Sequence, residues 1–363
     1  VRRGYSVPTI SIYDKEYYKF LERLDKKNPD HKDPLVKNNG CVFLPEMFWD
    51  EIKTNPELQE RFLLLMKKRM SKGKIYLIDE RNCNINQSPV YERLGMSVNA
   101  TNICTEALTA IDPRYSFVCI LASLNLMKWD EIKANPQIIK DAFMFLDINV
   151  TEYLNLTEGI PFMEKARKSA EEKRDIGLGT MGLHDLFQSK GMAFGDIYSR
   201  KLNKEIYSTI HKMGEEYTEE IGSKLGSPKL CRDANLTRRN VSLMMVAPNK
   251  STAAIAETSE GCAPRLSNYM NEELAGISRV HKNPFLEGVL KSKDNNTVGI
   301  WNSIMAKAGS VQHLDCLTEE EKACFRTASE ISPKDIIDLA GDRQEFIDMS
   351  QSINLFGRPN YGI

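Results

Sequence analysis

The stretch that most limits how this chain can fold runs from Arg200 to Leu225. Leu202, Ile206, Ile210, Met213, Tyr217, Ile221 and Leu225 recur there at helical spacing on one stripe, and Gly226-Ser227-Pro228 stops it. So long a one-sided stripe has to lie along a core, so it is assigned to packing and given no chemistry. Two uninterrupted apolar runs read as buried strands. Val118-Cys119-Ile120-Leu121-Ala122, after an Asp112-Pro113 turn, suits a strand covered on both faces, and Val241 to Ala247 is the second such candidate. At 363 residues the chain has room for about two domains or one large α/β barrel.

Other elements follow from local pattern. Residues 5–13 are rich in β-branched and aromatic types and predict a strand, followed by a helix over Lys15 to Leu24. The charged stretch 26–39 reads as an exposed loop. Cys41 to Leu44 and Ile75 to Ile78 predict strands, and Glu57 to Lys72 a helix ending at Gly73 whose Lys67-Lys68-Arg69 is a solvated face. Helices dominate from Trp129 to Lys173. Ile176-Gly177-Leu178-Gly179-Thr180-Met181-Gly182 matches the dinucleotide glycine pattern only superficially. Lys173-Arg174-Asp175 stands where a strand is required, so the glycines read as close helix packing.

Charge and cysteine usage exclude several function classes. With 49 basic and 50 acidic residues the net charge is −1, so no global field draws in nucleic acid or an anionic membrane. No run of about 18 apolar residues occurs and no signal-peptide pattern opens the chain, so a cytoplasmic location is expected, the host cytoplasm if a phage encodes it. The eight cysteines, at 41, 83, 104, 119, 231, 262, 316 and 324, have neither CxxC spacing nor neighbouring histidines. A disulfide framework and a zinc site are both unexpected, and no metal is expected on this chain. The start at Val1-Arg2-Arg3-Gly4 and the stop at Asn360-Tyr361-Gly362-Ile363 read as the interior of a longer polypeptide.

Two stretches carry chemistry. In an extended Asn102-Ile103-Cys104-Thr105-Glu106, positions i, i+2 and i+4 share a face, which sets an amide, a thiol and a carboxylate side by side. A small buried cysteine flanked by polar residues is the alternative. After the Val241–Ala247 run, Pro248-Asn249-Lys250-Ser251-Thr252 leads into a helix-favouring Ala253-Ala254-Ile255-Ala256-Glu257. Strand, polar loop and helix start together offer N–H groups, hydroxyls and an ammonium to an anion such as phosphate, while a plain N-cap by Ser251 or Thr252 is the other reading.

Taken in order, these segments resemble the large, catalytic α subunit of ribonucleotide reductase. The resemblance is carried by Asn102 to Glu106, Val118 to Leu126, Ile176 to Leu183, Ala247 to Thr252, and Asp342-Arg343-Gln344 with Ser350-Gln351-Ser352-Ile353-Asn354-Leu355. Pro264, Ser267-Asn268, Asn283 to Leu286 and Ser310 to Leu314 look like the variety found in phage and some bacterial class I enzymes. The resemblance implies one partial domain over 1–363: part of a ten-stranded α/β barrel whose central finger loop bears Cys104. It further implies that Cys104 becomes a thiyl radical taking the ribose 3′ hydrogen, that Glu106 is the base for the 3′ hydroxyl, and that Asn102 orients that carboxylate. Cys119 would be one of two reducing cysteines, and Asn249, Lys250, Ser251 and Thr252 would hold the substrate diphosphate.

Partners follow from the same resemblance. A small metal-containing β subunit would supply the radical, a thioredoxin- or glutaredoxin-like dithiol protein would supply electrons, and the α chains would form a dimer acting on ribonucleoside diphosphates. The chain departs from the family pattern in three ways. Ala253 stands where relatives commonly carry another hydroxyl residue. The partner of Cys119 lies upstream of a loop whose end Arg2-Arg3-Gly4 resembles, and Cys41 and Cys83 replace it only by count. The family's radical-transfer tyrosine pair and cysteine tail are missing, with Tyr361 standing alone. These gaps suggest one piece of a split subunit completed by companion α fragments. A cobalamin-dependent reductase, or a catalytically silent remnant or regulatory subunit that retains the barrel, are the alternatives.

Overall fold

Parallel strand pairing organises the chain into two groups of strands, each reached through helices. The computed structural model describes residues 6–24, 35, 38–73, 75–274 and 277–356. Both chain ends singled out above, Tyr361 included, and the 26–39 stretch apart from residues 35, 38 and 39, lie outside them.

The first sheet has the order β1 (Thr9–Ser11), β2 (Gly40–Leu44), β3 (Ile75–Asp79), all parallel, with Val42 opposite Ile10 on one side and Leu77 on the other. The crossover to β3 is the helix Pro56–Lys72. Asn55 caps its start by accepting from the Glu57 and Leu58 N–H groups, and Gly73, at φ 60°, ends it. A left-handed residue there costs glycine least. Tyr17, Leu21, Val42, Phe48 and Leu65 close the core of this half.

The second group begins with a hairpin of β4 (Ala100–Thr101) and β5 (Leu108–Thr109), then β6 (Leu121–Asn125) and β7 (Gly177–Met181), which run parallel. Two further extended segments continue the parallel set. Leu178 bridges Met244, and Val246 bridges Gln351, so residues 242–246 and 349–352 lie beyond β7 in that order. A second hairpin, β8 (Tyr269–Leu274) and β9 (Ile277–Lys282), stands apart from this set. The parallel segments and their helical connections form the α/β arrangement expected. Helices Gln137–Leu156, Ile197–Leu225 and Pro333–Gln344 cover one face, where Phe143, Ile206, Ile210, Tyr217 and Leu339 are buried. Each such side chain contributes on the order of 1.5–3 kcal/mol. Arg200 grips Asp342 through two hydrogen bonds of 2.6 and 2.9 Å, aligning the last helix before segment 349–352.

Three expectations are corrected. The glycine motif is not helix packing: a helix, Glu164–Lys173, does precede it in place of a strand, but Gly177–Met181 is itself a strand, with all five residues buried. Its glycines admit the neighbouring segment, since a Cβ on Gly179 would meet the Met245 backbone oxygen at 2.3 Å and one on Gly177 the Met245 side chain at 2.1 Å. The Val118–Ala122 run is not covered on both faces. Its strand starts at Leu121, Cys119 and Leu121 are exposed, and among the described residues β6 pairs with β7 alone, leaving its outer edge open. Along the amphipathic helix, Leu202 to Ile221 pack inward, but Leu225 is exposed because it lies past the last contact with the core.

A substitution pair tests the glycine account. Gly179→Ala should lower unfolding free energy by about 3 kcal/mol, at the upper end of overpacking effects because the obstacle is backbone. Gly288→Ala, in helix Pro284–Ser292 with nothing within 4 Å, should be neutral or stabilising by up to about 1 kcal/mol. Urea denaturation of both variants decides; equal effects would contradict the close-approach role.

Candidate active site

Asn102 to Glu106 form the tip of the β4–β5 hairpin, and the expected extended geometry is corrected. Only two residue pairs form the ladder, Ala100 with Thr109 and Thr101 with Leu108, so the six residues between must turn. The Thr105 N–H donates to the Asn102 carbonyl at 3.1 Å, and Thr105 takes a left-handed φ of 68°. The turn brings Asn102 and Glu106 together more tightly than a strand would. Asn102 Nδ2 donates to Glu106 Oε1 at 2.8 Å, and Asn102 Oδ1 accepts from the Ala107 N–H at 3.2 Å.

The tip is held from below by main chain and apolar contact. The Ser350 N–H donates to the Glu106 carbonyl at 2.9 Å, while the Met349 N–H donates to the Met244 carbonyl at 3.2 Å. The last parallel segment therefore holds the hairpin and its neighbour at once. Ala107, Met245 and Met349 form a small buried cluster in the same place, so Met245 spans the glycines of β7 and the base of the tip.

Glu106 is buried, at 2% exposure, and its Oε2 has no hydrogen-bond partner among the described residues. Leaving a buried polar atom unpaired costs about 1–3 kcal/mol, more if charged, so this oxygen is set to accept from a hydroxyl that enters the site. Cys104 and Cys119 both feel its charge. Partial burial, then Glu106, raises the Cys104 thiol above its usual range; Cys119 keeps an open surface, but the crowding of protein around its thiol desolvates it and, with Glu106 and then Cys104, pushes it up to about 12. Asn102, Cys104, Glu106 and Cys119 thus meet in one place.

The phosphate-loop candidates follow directly on segment 242–246, whose Met245 packs at the base of the tip. Asn249 caps helix Lys250–Ile255 from a left-handed φ of 56°, without a side-chain cap. Its Nδ2 donates to Ser123 Oγ at 2.7 Å and to the Thr180 and Ala247 carbonyls, so Asn249 ties the loop to β6 and β7 rather than reaching outward. Ser251 and Thr252 are exposed on the first turn, and neither caps the helix. Ala253 is fully buried, which accounts for an apolar residue at that position. Lys250 and Pro248 line a cleft of about 530 Å³ together with Glu257, Arg265, Asn354 and Phe356. None of Asn102, Cys104, Glu106 and Cys119 lines it.

Sequence pattern gave no role to Ser123 or Ser350, nor to the charges Lys173, Arg174 and Asp175, all three of which are buried. The signal was present in the last case, because charges that open an entirely apolar run have to be paired. Arg174 and Arg239 both donate to Asp147, at 2.8 and 3.2 Å, and seat helix Gln137–Leu156 at the start of β7. Among the described residues, no group of three His, Cys, Asp or Glu side chains is placed to hold a metal, and no helix is long and apolar enough to cross a membrane.

Comparison with known proteins identifies the family. The family model of the ribonucleotide reductase barrel domain matches residues 11–234 and 234–361. The large subunit of ribonucleoside-diphosphate reductase from Invertebrate iridescent virus 3 is 34% identical over 308 residues, covering 84% of this chain and 48% of that protein. The same subunit from Caenorhabditis elegans is 30% identical over 317 residues, covering 76% and 39%. The solved class Id ribonucleotide reductase α subunit of Actinobacillus ureae superposes with a TM-score of 0.86 at 32% identity, covering 96% of this chain and 64% of that one. The chain thus spans about half the length, or less, of the curated relatives compared here. With the family model matched along nearly its whole length and the hairpin-borne thiol and carboxylate in place, the chain belongs to the ribonucleotide reductase barrel-domain family.

Proposed function

We propose that this chain carries the catalytic centre of a ribonucleoside-diphosphate reductase large subunit, converting ribonucleotides to 2′-deoxyribonucleotides by thiyl-radical chemistry. The observation that carries the reading is the buried Glu106 Oε2, unpaired while Asn102 holds Oε1, on a tip shared with Cys104 and facing Cys119. Cys104, as a thiyl radical, takes the 3′ hydrogen of the ribose and becomes S–H. Glu106 takes the proton of the 3′ hydroxyl, and Asn102 keeps the carboxylate aimed at it. The 2′ oxygen leaves as water. Two electrons and two protons come from a pair of thiols, one of them Cys119, which end as a disulfide. Cys104 then returns the hydrogen.

The substrate diphosphate is assigned to the 248–252 loop, with Lys250 and the exposed Ser251 and Thr252 as its contacts. The radical comes from a small metal-containing β subunit and the electrons from a dithiol protein, and the α chains work as a dimer in the cytoplasm. The names of the viral and nematode relatives and of the bacterial α subunit support the reductase over the cobalamin-dependent and silent-remnant alternatives.

The raised thiols suit hydrogen-atom transfer, which needs S–H and not thiolate. Below its pKa a thiol gains thiolate about tenfold per pH unit, so alkylation of Cys119 by iodoacetamide should keep climbing from pH 8 to pH 10. A plateau near pH 9 would contradict the raised value. In the reductase assembled from this chain, the rest of its subunit and the radical-generating partner, Cys104→Ser should abolish product formation. Cys119→Ser should leave at most one turnover per site without added reductant and none beyond it with a dithiol protein. Retained steady-state reduction by either variant would overturn the assignment.

A further inference from the structure

We infer that Lys173 is a positioning residue that sets Cys104 and Cys119 in register by clamping the linker between them. The inference deepens the reading of those two cysteines as the reacting thiols and rests on it.

Lys173 ends helix Glu164–Lys173 and is fully buried. Its ammonium donates to Thr109 Oγ1 at 3.2 Å, to the Ala110 carbonyl at 2.7 Å and to the Ser116 carbonyl at 3.4 Å. All three acceptors lie on the connection from the hairpin tip to Cys119. Thr109 closes the two-pair ladder of the hairpin, and Ser116 stands three residues before Cys119. One charge therefore joins the base of one thiol's support to the approach of the other.

Side-chain contacts hold the rest of that connection: Asn99 bonds both the N–H and the C=O of Ile111 at 2.9 Å, and the Tyr115 hydroxyl donates to Glu172 on the same helix as Lys173. Between Ala110 and Ile120 no residue belongs to a strand or helix. The Ser116 N–H donates to Ser169 Oγ at 2.7 Å, and Ser169 lies one turn before Lys173 on the same helix face. Ser116 is thus gripped at both its N–H and its C=O by a single helix. The hairpin end is braced by Tyr91, whose hydroxyl lies 3.2 Å from Thr109 Oγ1 and donates to Asp175 Oδ2 at 3.3 Å. The ammonium sits 5.4 Å from the Tyr91 ring centre and 5.3 Å from that of Tyr115, which encloses it without adding competing acceptors. Lys173 also feels the charge of Asp175, but neutralising that carboxylate alone would not need three oxygens from one linker.

Differential thiol labelling tests this without relying on turnover. The chain is treated with iodoacetamide under native conditions, and the rate at each cysteine is read by mass spectrometry. Lys173→Met should raise the rates at Cys104 and Cys119 by at least threefold while the buried Cys41 stays unchanged. Thr109→Val, which removes one hairpin acceptor, should raise Cys104 alone, and Ser169→Ala, which frees the Ser116 N–H, should raise Cys119 alone. These two milder variants keep the test open if Lys173→Met fails to fold. In the assembled reductase the same variants should lower kcat with substrate KM unchanged. Unchanged rates at both thiols, or a rise at Cys41 in proportion, would overturn the inference. Altered labelling in an assembly whose wild-type form reduces no nucleotide would instead count against the reductase reading alone.

Discussion

The candidate site depends on the two hydrogen bonds of the Asn102 side chain. Its amide N–H fixes one oxygen of Glu106, and its amide oxygen caps the Ala107 N–H, so one side chain both shapes the turn and aims the carboxylate. A two-pair hairpin has little stability of its own, because isolated hairpins are marginal in water. Without the Asn102 bonds the tip would retain the Thr105 turn and the Ser350 contact, and neither constrains the Glu106 carboxylate. The chemistry requires a base that approaches one hydroxyl from one direction, and an amide locked at both ends provides that.

The support beneath the tip is built from the absence of side chains as much as from their presence. Gly177 and Gly179 let segment 242–246 approach β7 to backbone contact, which brings Met245 across to Ala107 and Met349. Segment 349–352 then pairs with Val246 on one side and donates from Ser350 to Glu106 on the other. The long helix Ile197–Leu225 acts at one remove. It holds the Pro333–Gln344 helix through Arg200 and Asp342, and that helix leads into the segment on which the tip rests.

Much of this was legible in the sequence, and the failures have physical causes. The Pro56–Lys72 helix was readable because its ends carry their own signals, Asn55 and Gly73. The residues of the site were readable because amide, thiol and carboxylate at close spacing are rare together, but their conformation was not. Alternating positions suit a strand and a tight turn equally, and only the pairing of Ala100 with Thr109 decides for the turn. Gly177–Met181 was misjudged because glycine-rich strands lack β-branched residues, and what makes this one a strand is the close approach of Met245. Cys119 was expected to be buried because apolar runs imply burial, whereas exposure along β6 depends on which neighbour covers its edge. The cluster around Lys173 and Asp175 is a matter of long-range contact, since its partners lie about 60 to 80 positions away in sequence.

The central claim is that Glu106 Oε2 is vacant for a ribose hydroxyl beside Cys104. A crystal structure with a bound ribonucleoside diphosphate tests it most directly. The expected result places the 3′ hydroxyl oxygen about 3 Å from Glu106 Oε2, with Asn102 still on Oε1 and the 3′ carbon facing the Cys104 thiol. A ribose seated in the cleft between Lys250 and Arg265, with Glu106 Oε2 untouched, would contradict it.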